Sequence, residues 1–60
     1  MTNTENMIYI NSMFNVDGLE AKIYEMPNEL AYVEITGGAK HYFWNYDSAV
    51  EALGNIGFRF

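Results

Sequence analysis

No cysteine occurs among these 60 residues, so neither a disulfide nor a thiolate metal site can staple the core. Proline occurs once, as Pro27, and histidine once, as His41. A lone histidine with no Asp or Glu at ligand spacing does not make a metal site. Basic residues are scarce too: Lys22, Lys40 and Arg59 stand against Glu5, Asp17, Glu20, Glu25, Glu29, Glu34, Asp47 and Glu51, for a net charge of −5. That balance repels nucleic acid and anionic membrane and favours basic protein surfaces. No apolar run approaches the roughly 20 residues of a membrane-spanning helix. The start, Met1-Thr2-Asn3-Thr4-Glu5-Asn6, is polar and lacks the basic, then apolar, order of a signal peptide. A cytoplasmic setting is expected, with residues 1–6 flexible.

Catalytic constellations are equally scarce. Ser12 and Ser48 have no base nearby in sequence, and there is no thiol to serve as nucleophile. Glu25 and Glu29 flank an expected turn, where burial cannot tune a carboxyl for acid–base work. Gly37-Gly38 joins two expected strands and opens no helix, so it is not a phosphate loop. The chain is expected not to be an enzyme and to need neither cofactor nor metal.

Aromatic residues, by contrast, are plentiful. They number ten, and His41-Tyr42-Phe43-Trp44-Asn45-Tyr46 alone carries four. A domain near 60 residues buries only about 60% of the surface its unfolded chain exposes. Its core is worth on the order of 3–5 kcal/mol unless it is stapled or oligomeric. One domain over 1–60 fits this length, and a homodimer is the expected remedy for so small a core.

The local pattern predicts an α+β fold: an antiparallel four-stranded meander with one short C-terminal helix. Met7 to Phe14 begins with β-favouring Ile8, Tyr9 and Ile10. Asp17-Gly18 is a hairpin signal. Leu19 to Met26 alternates, with Ala21 and Ile23 on one face and Glu20, Lys22 and Tyr24 on the other. Pro27-Asn28 supplies the next turn. Leu30 to Thr36 sends Ala31, Val33 and Ile35 one way and Tyr32 and Glu34 the other. Gly37-Gly38 then turns the chain into an aromatic strand over 39–45. Ser48-Ala49-Val50-Glu51 has capping-box spacing, with Asp47 as a rival cap. The helix is expected to run to Leu53, stop at Gly54 and bury Ala49, Val50, Leu53 and Ile56. Gly57 to Phe60 allows a short terminal strand.

One helix covers one face of such a sheet, here the face of Ala21, Ile23, Ala31, Val33 and Ile35. The other face collects Tyr24, Leu30, Tyr32 and Glu34. Strand four adds either Tyr42 and Trp44 or His41 and Phe43, since a one-residue slip exchanges the two sets. Aromatic and methionine side chains concentrate at interface centres, so this face reads as partner-binding. Its expected residues are Tyr24, Tyr32, Glu34, Tyr42, Phe43, Trp44 and Glu51. Bases also stack on aromatic platforms, but a single-strand binder needs a positive groove, and only Lys40 lies near this run. Same-face neighbours along a strand are roughly 6.6 Å apart, comparable to successive phosphates. Glu20, Glu25, Glu29 and Glu34 are therefore candidates for a DNA-mimicking row.

Over Leu30 to Phe60 the chain resembles the short uracil-DNA glycosylase inhibitors of phi29-like phages. The likeness rests on Ala31-Tyr32-Val33-Glu34-Ile35, Gly38, Lys40-His41-Tyr42-Phe43 and a helix ending at Gly54-Asn55, together with length and acidity. It implies a dimer whose apolar groove takes the residue that the glycosylase would insert into DNA, with acids facing the DNA-binding cleft. Tyr42, Phe43 and Glu51 match the pattern. The family's acid in the aromatic strand is replaced by Phe43 or Trp44, its helix aromatics by Ala49, Val50 and Leu53, and an N-terminal hairpin is added. Two other readings stand beside this one: a phage inhibitor of a CRISPR effector or RNA polymerase, and a homodimeric assembly domain.

Overall fold

A computed structural model describes residues 7–60 of the chain. Its order is β1 (Ile8–Phe14), β2 (Glu20–Glu25), β3 (Ala31–Ile35), β4 (Ala39–Phe43) and α1 (Tyr46–Asn55). The strands form one antiparallel sheet in sequence order, as the hairpin signals predict. The expectation for residues 1–6 lies outside the described residues. The terminal segment is not a strand. It makes a single bridge at Arg59, whose N–H and C=O both bond Phe14 at 2.7 Å.

The first two hairpins close in the same way. Gly18 N–H bonds the Asn15 carbonyl, and Glu29 N–H bonds the Met26 carbonyl. Each is a turn followed by a residue in the left-handed region. Gly18 meets that requirement without a Cβ penalty at φ 84°, whereas Glu29 holds φ 71° with a full side chain. Asn28 Oδ1 accepts from Leu30 N–H beside it and helps fix this turn.

Period-two alternation puts Met13, Ala21, Ile23, Ala31, Val33 and Ile35 on the face that α1 covers, as expected for the last five. Ala49 and Leu53 pack down from the helix, and Phe58 closes the end. Ile23, Val33 and Leu53 are the largest fully buried side chains. Each removes on the order of 1.5–3 kcal/mol of apolar surface from water. Small residues in the sheet, Ala21 and Ala31, let the helix approach.

The helix ends differ from the sequence expectation. Asn45, not Ser48 or Asp47, is the N-cap, and its Oδ1 accepts from Ser48 N–H at 2.8 Å. The chain leaves β4 at Phe43, so the helix starts two residues before Ser48 and makes that serine the donor. Asp47 lies in the first turn, where its charge suits the helix dipole. At the other end Gly54 stays helical, and Gly57 takes φ 100°. Gly57 N–H bonds the Gly54 carbonyl and Phe58 N–H bonds the Leu53 carbonyl, the paired bonds of a Schellman cap. Leu53 and Phe58, joined by that cap, are both buried. Ile56 therefore falls at the cap, 64% exposed, and not in the buried stripe.

Candidate functional site

Strand register resolves which aromatics face away from the helix. Tyr9 pairs with Tyr24, Tyr24 with Tyr32, and Tyr32 with Tyr42. Tyrosines thus occupy one position on all four strands. Their ring centroids are 5.6, 5.8 and 5.1 Å apart in that order, with tilted or edge-on planes. Such spacing suits attractive aromatic contact. Tyr42 is therefore on this open face, while Phe43 turns to the helix side and packs half-buried against the core. His41 has the parity of Phe43 but is exposed.

Position along this row decides exposure. Tyr32 has a tyrosine on either side and is only 7% exposed, whereas Tyr42, at the end of the row, is 62% exposed. Burial pushes the Tyr32 phenol above its ordinary pKa, and the nearby Glu34 carboxylate and the flanking Tyr42 and Tyr24 phenols add to the rise. Tyr32 thus belongs to the framework of the face, and Tyr42 to its accessible part.

The acids do not form one row. Glu20 and Glu34 share the tyrosine face at the end of the sheet next to the β3–β4 turn. Glu25 has the opposite parity, and Glu29 sits in the β2–β3 turn at the far end. Glu34 is paired laterally with Lys22 on one side and Lys40 on the other, so opposite charges already flank it. Glu20 is tied down as well. Its Oε2 accepts from Ser12 Oγ at 2.7 Å, and that hydroxyl lies 2.6 Å from the Tyr9 hydroxyl.

An apolar depression lies elsewhere, where β3 begins, β4 ends and α1 starts. Leu30, Tyr42, Phe43, Trp44 and Ser48 line a space of about 450 Å³. Trp44 lies just past the end of β4 and is 82% exposed, unusual for an indole with packed neighbours so close in the chain. Three acids are close in sequence to residues that line this space. Glu29 precedes Leu30, Asp47 precedes Ser48, and Glu51 lies three residues from Ser48 on the same side of the helix. All three are exposed.

Of the expected site residues, the structure brings Tyr42, Phe43 and Trp44 together at the depression, with Glu51 one helical turn away. Tyr24, Tyr32 and Glu34 lie on the tyrosine face. Leu30 and Ser48 line the depression without having been counted as site residues. The sequence signal for Leu30 was its place just after the Pro27 turn. Ser48 was hidden by its apparent role as a cap.

Among the described residues, no three His, Asp or Glu side chains gather as a metal site, and no helix is long and apolar enough to cross a membrane. The fold and the depression define a class: a small acidic α+β protein with an exposed tryptophan beside an apolar depression. No family model, curated protein or solved structure matches the chain.

Proposed function

We propose that this chain is a small acidic inhibitor, not an enzyme, that binds a DNA-handling enzyme in the cytoplasm of a phage-infected cell, and that its target is uracil-DNA glycosylase. The observation that carries the reading is the depression: an apolar space lined by Trp44, itself 82% exposed, with the exposed Glu29 and Asp47 next in sequence to lining residues and Glu51 three residues on from Ser48. An apolar side chain that an enzyme uses to probe DNA fits such a space. The basic surface around that side chain, built to hold phosphates, finds carboxylates in their place. The resemblance over Leu30 to Phe60 and the net charge of −5 support the same target.

Two physical terms then divide the work. Charge speeds encounter and is screened by salt. The apolar anchor slows release and is nearly independent of salt. Kinetics against immobilised bacterial uracil-DNA glycosylase test both. The on-rate should fall as salt rises while the off-rate stays flat. Trp44→Ala should cost on the order of 2 kcal/mol of affinity, chiefly through the off-rate, with the circular dichroism unchanged. Reversal of Glu51 should slow association more than reversal of Glu34, because Glu34 is already flanked by Lys22 and Lys40. Absence of binding removes this target. Binding to a bacterial RNA polymerase or CRISPR effector in the same format would move the proposal to that enzyme.

A further inference from the structure

We propose that two copies of the chain join edge to edge through β4, in antiparallel register centred on His41, to make one eight-stranded sheet. This does not rest on the target proposed above. The two edges of the sheet differ. Along β1 the register is broken between Tyr9 and Asn11, and Phe14 is already bonded to Arg59. Along β4 the pairing is regular over all five residues, and no element among the described residues covers its outer side. Such an edge is a template for another strand.

Polar groups of the backbone fix the register. Gly38 N–H bonds the Ile35 carbonyl to close the β3–β4 turn, and Ile35 pairs with Ala39. In an antiparallel ladder the bonding direction alternates along the strand. The N–H and C=O of Ala39, His41 and Phe43 therefore turn toward β3, and those of Lys40 and Tyr42 point outward. A two-fold axis at His41 sets Lys40 against Tyr42 of the second copy and satisfies all four outward groups of each chain. On the tyrosine face each Lys40 then lies beside the open flank of the other Tyr42, an ammonium against an aromatic ring. On the helix face, small Ala39 opposes large Phe43.

Charge selects the occupant. Each copy carries −5, yet β4 holds no acid, and Lys40 and His41 are its only ionisable residues besides Tyr42. Two copies can meet here without setting carboxylate against carboxylate.

The chain has no cysteine, so single-cysteine variants report the geometry directly. Oxidised His41→Cys should form a disulfide dimer, because the two-fold axis places the residue opposite itself. Lys22→Cys, equally exposed but on an inner strand, should stay monomeric under the same conditions. In sedimentation equilibrium the unmodified chain should associate, and Lys40→Glu should weaken association about tenfold or more by replacing the cation with an acid beside the partner's ring. A 6.9 kDa species at every concentration overturns the proposal. So does a dimer that Lys40→Glu leaves unchanged, or equal cross-linking of the two cysteine variants. If His41→Cys fails to fold, the sedimentation pair decides alone.

Discussion

The two faces of the sheet solve the same problem with different material. The helix side is sealed by mainly aliphatic packing, Ile23 and Val33 from the strands and Leu53 from above, with Phe58 closing the end. The open side has no covering layer among the described residues and shields itself laterally, with Tyr9, Tyr24, Tyr32 and Tyr42 standing rung beside rung. The first strategy buries all four of these side chains. The second buries only a member with neighbours on both sides, so exposure climbs from Tyr32 to Tyr42. A tyrosine row across a sheet is thus a core substitute at Tyr32 and exposed aromatic surface at Tyr42.

The sharpest way to break this comparison is to remove one rung at a time. Tyr32→Ala should cost about 3–5 kcal/mol, the range for deleting a buried aromatic, and leave the domain largely unfolded. Tyr42→Ala should change stability by less than about 1 kcal/mol. Urea unfolding followed by circular dichroism separates the two. Similar losses for both would mean that the row acts as one unit and that exposure does not grade it.

Next in size is the end of the helix that seals the covered face. Gly57→Ala should destabilise by about 1–2 kcal/mol because the residue holds φ 100°. Open space surrounds the position, so the loss is one of backbone strain and not of a clash. Gly54→Ala should stabilise by up to about 1 kcal/mol, since Gly54 lies within the helix with open space where its Cβ would be. Opposite signs in thermal melts identify which glycine stops the helix. The same signs would contradict the cap.

At the other end, Asn45→Ala should cost about 1 kcal/mol and Ser48→Ala much less, because only the Asn45 side chain accepts the Ser48 N–H. Equal losses would restore Ser48 as the cap.

The smallest effect belongs to the titration of the row itself. The pKa of Tyr32 is raised in the fold, chiefly by burial. Its contribution to stability is therefore complete below the unfolded tyrosine value of about 10 and is lost as pH rises through the folded pKa. Tyr32→Phe should fold at neutral pH and lose less stability than the parent chain on alkaline titration. Identical alkaline limbs would remove Tyr32 as the group responsible.

These contrasts also mark what sequence could reveal. Alternation assigned Ala21, Ile23, Ala31, Val33 and Ile35 to one face because their neighbours Lys22, Tyr24 and Glu34 are unmistakably different. In β4 that contrast fails: His41 and Phe43 on one parity and Tyr42 and Trp44 on the other are equally fit for either face. Pairing with Tyr32 settles it, and pairing is a property of the folded sheet. The cap was ambiguous for a similar reason. Asn45, Asp47 and Ser48 are all good caps, and only the exit of the chain from β4 selects Asn45. Trp44 and Glu51 were readable as candidates from type and charge. Leu30 and Ser48 were not, because only the pairing of Ala31 with Phe43 brings the start of β3 to the end of β4 and the first turn of α1. The acidic row failed on geometry. Four glutamates spaced along the chain were divided by parity and by a turn.

If the depression beside Trp44 takes the place of DNA in a basic cleft, this protein in stoichiometric excess should stop uracil excision from labelled single-stranded DNA by bacterial uracil-DNA glycosylase. Excision should return with folded Trp44→Ala. Undiminished excision with the parent chain would rule that role out.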